Sequence, residues 1–372
     1  MGIGRRWRNA LVLGAVVGTA AAGAQGWRHV VEASGAEHGP TDLPGAVLVA
    51  GPPAGASGPD DLAQLSVEGL DAERALIWTA YQNGIGPDGS PTGAKSTVAG
   101  YDPATGALER SIDVVGKVDG LTADPERHVL YATVNEDANS VFNVINPRTS
   151  TVTAYTYTPS PETNSNGGTD AISIWHGEIF VSHSNPDPTD AEAAAVYRVR
   201  LDEDDHTAHL TKLFDIDASA ADAVSGKRVK LALTDPDSNA VLPDSSPRFA
   251  GQLALISQGD GEIIFAKHRG DDTSLTVLSL TDNVSGNVPP IDGFAVATSE
   301  HGWLYIVDAG ANTISRLSTD EWPAGTVFVT EPKDNANPLL GILDLRTGHV
   351  TPLANAFKSP KEILFVPTGD DD

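Results

Sequence analysis

The chain has 372 residues, 50 acidic against 24 basic, a formal charge of −26 and no cysteine. A field of that sign repels phosphate backbones and anionic lipid, which excludes nucleic acid as a partner and favours cations or basic surfaces. Without thiols there are no disulfides, no thiolate metal sites and no lipid-modified cysteine.

The N-terminus reads as an export signal. Arg5, Arg6 and Arg8 form a positive head, residues 10–22 are apolar, and Ala22, Gly23 and Ala24 supply the small residues a signal peptidase needs. The expectation is a signal peptide over 1–24, cleaved after Ala24, and a secreted product with no stable membrane insertion. An uncleaved anchor is the alternative, and Arg5-Arg6 also fits a twin-arginine signal. Residues 25–58, rich in Gly, Pro, Ala and Ser, read as a flexible linker in which residues 45–51 make a lone strand.

From residue 59 to 369 the pattern changes to short apolar runs between Gly, Pro, Asn and Asp turns, with no sustained helical period. The runs at 75–81, 128–134, 178–184, 262–268 and 303–309 are alike, and each follows a small residue joined to an apolar one. These heads align at Glu68-Gly69, Asp119-Gly120, Asp170-Ala171, Gly251-Gln252, Asp292-Gly293 and Lys361-Glu362. Hairpins with Asp/Asn-Pro or Thr-Gly turns follow at 98–112, 141–155 and 341–353. Two strands and a hairpin in about 40–50 residues make the four-stranded antiparallel blade of a propeller. The expectation is an all-β propeller of six blades, with five or seven as alternatives. Residues 215–249 read as an insertion, residues 325–332 as a remnant blade, and residues 370–372 as an acidic tail.

Residues 101–146 and 292–318, with "YATVN" at 131–135 and "FNVINPRTS" at 142–150, resemble the bacterial YVTN and NHL-type propeller repeats. The resemblance implies a fold rather than an activity, because propellers host unrelated functions. It also implies that the heads of the innermost strands face the axial channel. Glu68, Asp119, Asp170 and Asp292 would then gather at one opening, with Gln252 and Lys361 beside them and His183 at a strand end near its mouth. Crowded carboxylates either hold a cation or take up protons, and calcium suits hard oxygen ligands in an exported protein. The distant similarity to gluconolactonase-type propellers implies a metal held by Glu-Gly, Asn-Gly and Asp-Gly heads. Glu68-Gly69 and Asp292-Gly293 match two of these, and no head here carries Asn-Gly.

A second, weak calcium loop is spelled by Asp235, Asp237 and Asn239, although Ala240 and Ser246 stand where such a loop needs Gly and Glu. No nucleotide, haem or flavin motif is present, nor a G-x-S-x-G or H-E-x-x-H motif. Two functions fit. One is a monomeric extracellular binding or scaffold propeller holding a small molecule or protein at the channel face or long loops. The other is a calcium-dependent hydrolase or lyase acting in the channel.

Overall fold

The computed structural model describes residues 46–67, 74–162, 167–190, 193–269, 272–282, 288–320, 322–332, 338–354 and 356–368. Among them the regular elements are β-strands, grouped by pairing into four-stranded antiparallel units, with Ser219–Asp222 and Arg228–Lys230 added at the outer edge of the fourth and Thr281–Asp282 at that of the fifth. The first unit runs outward from Pro59–Val67 through Arg74–Tyr81 and Lys95–Tyr101 to Leu108–Val115. The second is Val118–Asp124, Val129–Val134, Val141–Asn146 and Thr151–Thr158. Gly168–Trp175, Glu178–Ser184, Ala194–Asp202 and Thr207–Asp215 form the third. Pro236–Val241, Leu253–Ser257, Glu262–Arg269 and Asp272–Ser279 form the fourth.

The last two units are interleaved. The fifth is Phe294–Val296, Val327–Glu331, Leu339–Asp344 and His349–Ala354. The sixth has Pro360–Pro367 innermost, then Gly302–Asp308 and Thr313–Ser318, and outermost Ala46–Ala50 from the far end of the chain. After laying down the fifth inner strand the chain therefore builds the middle of the sixth unit and then returns. Consecutive runs at 294 and 303 look like strand partners in sequence, yet they lie in neighbouring units. The expected remnant blade at 325–332 supplies the second strand of the fifth unit. Strand patterning records which faces are apolar, and it leaves the choice of hydrogen-bonding neighbour to register and loop length. The apolar run expected as a lone strand inside the 25–58 linker is paired as well, because an edge of the sixth unit would otherwise stay open.

The arrangement follows from burial on both faces. In the second strand of the first unit, Leu76, Trp78 and Ala80 enter the wedge against the second unit, while Ile77 and Tyr81 enter the wedge against the sixth. Side chains alternate sides along a strand, so a run that is apolar at every position needs a covering sheet on each side. Each adjacent pair of units accordingly shares one apolar cluster, including the pair formed by the sixth and first. Outer edges are tied as well. Thr156–Thr158 runs parallel to Thr207–His209, which joins the second and third units into one eight-stranded sheet.

Closure is local and specific. Tyr101 donates its hydroxyl proton to the Gly51 carbonyl at 3.1 Å, and Arg316 Nη1 donates to the Pro103 carbonyl at 2.7 Å. Gly106 lies in the same turn at φ +70°, where a Cβ would sit 1.9 Å from the Val49 carbonyl oxygen. Gly106→Ala is therefore expected to cost about 1–3 kcal/mol through overpacking and left-handed strain. Urea denaturation measures it, and an unchanged midpoint would show that the closing strand does not seat against this turn.

Candidate functional site: the acid mouth of the channel

The inner strands bring their first residues together at one end of the ring. A break in register falls there in the first, second, third, fourth and sixth units, between Pro59 and Leu62, Val118 and Gly120, Thr169 and Ile172, Pro236 and Ser238, and Pro360 and Ile363. Each break releases an acid from the pairing ladder: Asp60 and Asp61, Asp119, Asp170, Asp237 and Glu362. A bulge re-aims the side chain of the extra residue, which is how these acids leave the sheet faces and enter the mouth. In the fifth unit Asp292 sits two residues ahead of the inner strand, its amide donating to Thr330 at 3.0 Å.

The glycines beside these acids have a packing role. Gly120 N donates to Thr133 Oγ1 at 2.8 Å, and that hydroxyl donates in turn to the Asp170 carbonyl of the next unit. Gly293, Thr330 and the Lys361 carbonyl repeat the clip between the fifth and sixth units. A Cβ on Gly120 would stand 2.4 Å from Thr133 Oγ1 and 2.5 Å from the Asp170 carbonyl oxygen. Glycine is thus the residue that lets one head reach the next.

Two lysines answer part of the charge. Lys117 lies 2.7 Å from Asp119 Oδ1 and also pairs with Glu136. Lys361 lies 2.8 Å from Asp292 Oδ2 and 3.8 Å from Asp60 Oδ1. Burial opposes both ammonium groups, yet Asp119 and Glu136 hold the pKa of Lys117 above its ordinary value, and Asp292 and Asp60 do the same for Lys361. Gln82 donates to Asp60 Oδ2 at 2.6 Å, and Gln258 donates to Asp292 Oδ2 at 3.3 Å.

The remaining acids are under-compensated. Burial pushes Asp119 well up despite Lys117, and pushes Asp61 up with help from the charge of Asp60. Burial and the charge of Asp237 push Asp170 well above the carboxylate range. Asp237 is raised as well, by burial and by the charge of Asp292. Glu136, Asp170 and Asp237 each offer one oxygen, and those atoms lie within 4.8 Å of one another. Asp119 Oδ2, on a side chain only 1% exposed, has no hydrogen-bond partner among the described residues.

Sequence expectations divide here. Asp119, Asp170, Asp292 and Lys361 all stand at the mouth. Glu68 lies outside the described residues, and the first unit presents Asp60 and Asp61 instead, because its inner strand is Pro59–Val67. Gln252 is corrected. Its amide is bonded to the Phe249 carbonyl in the connection between the first two strands of the fourth unit, at the end away from the heads. The alignment took that unit's second strand for its first.

The weak calcium loop is also corrected. Residues 236–241, counted within an insertion, are the fourth inner strand, and Asp237 joins the mouth from its bulge. Asn239 faces the third unit, where its Nδ2 donates to the Ala171 carbonyl at 3.0 Å and its Oδ1 accepts from Ser173 at 2.5 Å. Asp235 is raised by burial and by the charge of Glu136, and it lies outside the three-oxygen cluster. His183 is fully buried, its Nδ1 donating to the Ala194 carbonyl at 2.8 Å against the Tyr197 ring, so it does not open on the channel. Glu136, Gln82 and Gln258 escaped notice. Their common signal is a polar residue just past the end of a second strand.

No family model matches the chain, and no curated protein matches it. Solved structures do. The periplasmic gluconolactonase of Pseudomonas aeruginosa is 13% identical over 82% of this chain and 88% of that one, with a TM-score of 0.47. A protein from Lactobacillus plantarum is 11% identical over 84% and 89%, with a TM-score of 0.44. The β-propeller domain of Cps50 (Swd1) from Myceliophteria thermophila is 13% identical over 79% and 84%, with a TM-score of 0.38.

The mouth has a pH signature. Burial holds Asp60 up at about 6, Asp237 at about 7 and Glu362 at about 8. Unfolded carboxyls titrate near 4, so between about 4 and 8 the folded state keeps protons that the unfolded chain has released. Stability then falls as pH rises through that window. In chelator-containing buffer the protein is expected to melt at a lower temperature at pH 8 than at pH 5, and the reverse order would show that these acids are ionised in the fold.

Proposed function

We propose that the protein is an exported binding propeller that takes a divalent cation, calcium by the hardness of its donors, at the acid mouth of its channel. The observation that carries this reading is the convergence of Glu136, Asp170 and Asp237 from three different segments onto a space one ion wide. Oxygen ligands at about 2.3–2.6 Å from calcium would stand at such separations. Lys361 is engaged by Asp60 and Asp292, so the cation is expected on the side of the second, third and fourth units. Export rests on Arg5, Arg6, Arg8 and the apolar residues 10–22, which lie outside the described residues.

A second reading, hydrolysis of a lactone at the same mouth, is favoured by Asp119. Its Oδ2 is buried without a partner, the position a general base needs beside a metal that polarises a carbonyl.

Calorimetric titration of calcium at pH 8 tests the first reading. Wild type and the surface control Asp113→Asn are expected to bind one ion, and Asp237→Asn and Glu136→Gln to bind at least about tenfold more weakly. Absence of binding by the wild type overturns it. The second reading expects calcium-dependent turnover of gluconolactone that Asp119→Asn abolishes while calcium still binds. Turnover equal in wild type and Asp119→Asn removes Asp119 from that role.

A further inference from the structure

Lys117 serves two acids at once. It stands one residue ahead of the inner strand Val118–Asp124, and Glu136 stands two residues past the second strand Val129–Val134 of the same unit. Asn135 locks the two positions together. Its amide donates to the Lys117 carbonyl at 2.8 Å, and its Oδ1 accepts from the Lys117 amide at 3.0 Å. From that fixed backbone the Lys117 ammonium reaches Asp119 Oδ1 at 2.7 Å and also contacts Glu136 Oε1. The side chain is 13% exposed, so solvent offers it little in exchange.

The two contacts are not equivalent. Asp119 lies outside the three-oxygen cluster, whereas Glu136 belongs to it with Asp170 and Asp237. An ammonium and a divalent ion held by one carboxylate repel each other, and the repulsion is strong where water is excluded. Lys117 therefore has a contact to lose when an ion enters. It also has a place to go. Asp119 Oδ2 is buried without a hydrogen-bond partner among the described residues, so the released N–H can stay on the same carboxylate. Lys361 differs, because its partners Asp292 and Asp60 both lie outside the cluster.

We infer that Lys117 is a built-in competitor of the cation: it holds Glu136 in the absence of the ion and yields it, with the ammonium kept on Asp119, when a divalent ion binds. This role rests on the cation site proposed above and sets that site's affinity. Each filling must break one charge-assisted contact of a buried lysine, so the site is weaker than three converging carboxylates would make it. Weakened sites fill only where the free ion is abundant, as calcium is outside cells, where modules bind it at about 10⁻⁴–10⁻³ M.

Calorimetric titration with calcium at pH 8 and fixed ionic strength reads the competition. Lys117→Gln is expected to bind calcium about tenfold more tightly than wild type. In the Glu136→Gln background, where the charged contact is already gone, adding Lys117→Gln is expected to change affinity by less than about threefold. Lys95→Gln, which removes the same charge from a surface pair with Asp113, is expected to leave it unchanged. Wild-type binding that Lys117→Gln leaves equal or weakens overturns the inference and spares the cation site. An equal gain in both backgrounds, or an equal gain from Lys95→Gln, also overturns it, because Lys117 then acts only through the overall field. Absence of binding in wild type and every variant removes the site itself, and the inference with it. Where Lys117→Gln folds poorly, the wild-type structure determined with calcium decides. Glu136 on the ion and Lys117 on Asp119 alone support the inference, and an ion bound while Lys117 keeps Glu136 overturns it.

Discussion

Every other feature depends on one constraint: the second strands of these sheets are apolar on both faces. Leu130 and Ala132 enter the wedge towards the first unit, while Tyr131 enters the wedge towards the third. A single four-stranded sheet cannot cover both of its faces, so each unit needs a neighbour on either side. The only arrangement that leaves no unit without one is a closed ring, and the ring uses Ala46–Ala50 to complete the last sheet. Closure then dictates the chemistry. Strands that radiate from one axis must crowd at it, and whatever side chains stand at their heads are brought together whether or not they attract.

Here they repel. The mouth answers only part of the repulsion. Lys117 and Lys361 neutralise their acid neighbours through short ion pairs, while Gln82 donates to Asp60 and Gln258 to Asp292. Asp170 and Asp237 have no direct ion pair among the described residues, and burial pushes both carboxyls up. Carboxyls are pushed up in this way where the desolvation of charge outweighs what nearby dipoles return. The same imbalance is what a bound cation would relieve, and the three-oxygen cluster includes both of these acids. Backbone clips through Thr133, Thr330 and Ser182 fix the heads against one another, so the crowding cannot relax by a small rotation of one unit.

Much of this was legible in the chain because the repeats are written in residues with one conformational meaning. Asp119-Gly120 and Asp292-Gly293 were found as heads, and the glycines mark them because no Cβ fits beneath the threonine clip. One error has a clear origin. The fourth head was placed one strand too late, at Gln252, because an apolar inner strand and an apolar second strand carry the same alternation. Asp237 was noticed for the wrong reason. Its D-x-D spacing suggested a loop, whereas along a strand that spacing puts alternate residues on one side, and a bulge decides which of them leaves the ladder.

By itself, the sequence determined the class of structure: strand-length apolar runs, turn residues at regular intervals, an acid or lysine near most heads, and a charge that favours cations. Those properties are local, and local patterns survive in one dimension. Only the tertiary structure decided which strand pairs with which, that the chain visits the sixth unit before finishing the fifth, and that Glu136 meets Asp170 and Asp237. It likewise paired the outer strands of the second and third units in parallel. Such outcomes depend on register and ring closure, which act between residues far apart in the chain, and no alternation of apolar and polar residues encodes a distance across the axis.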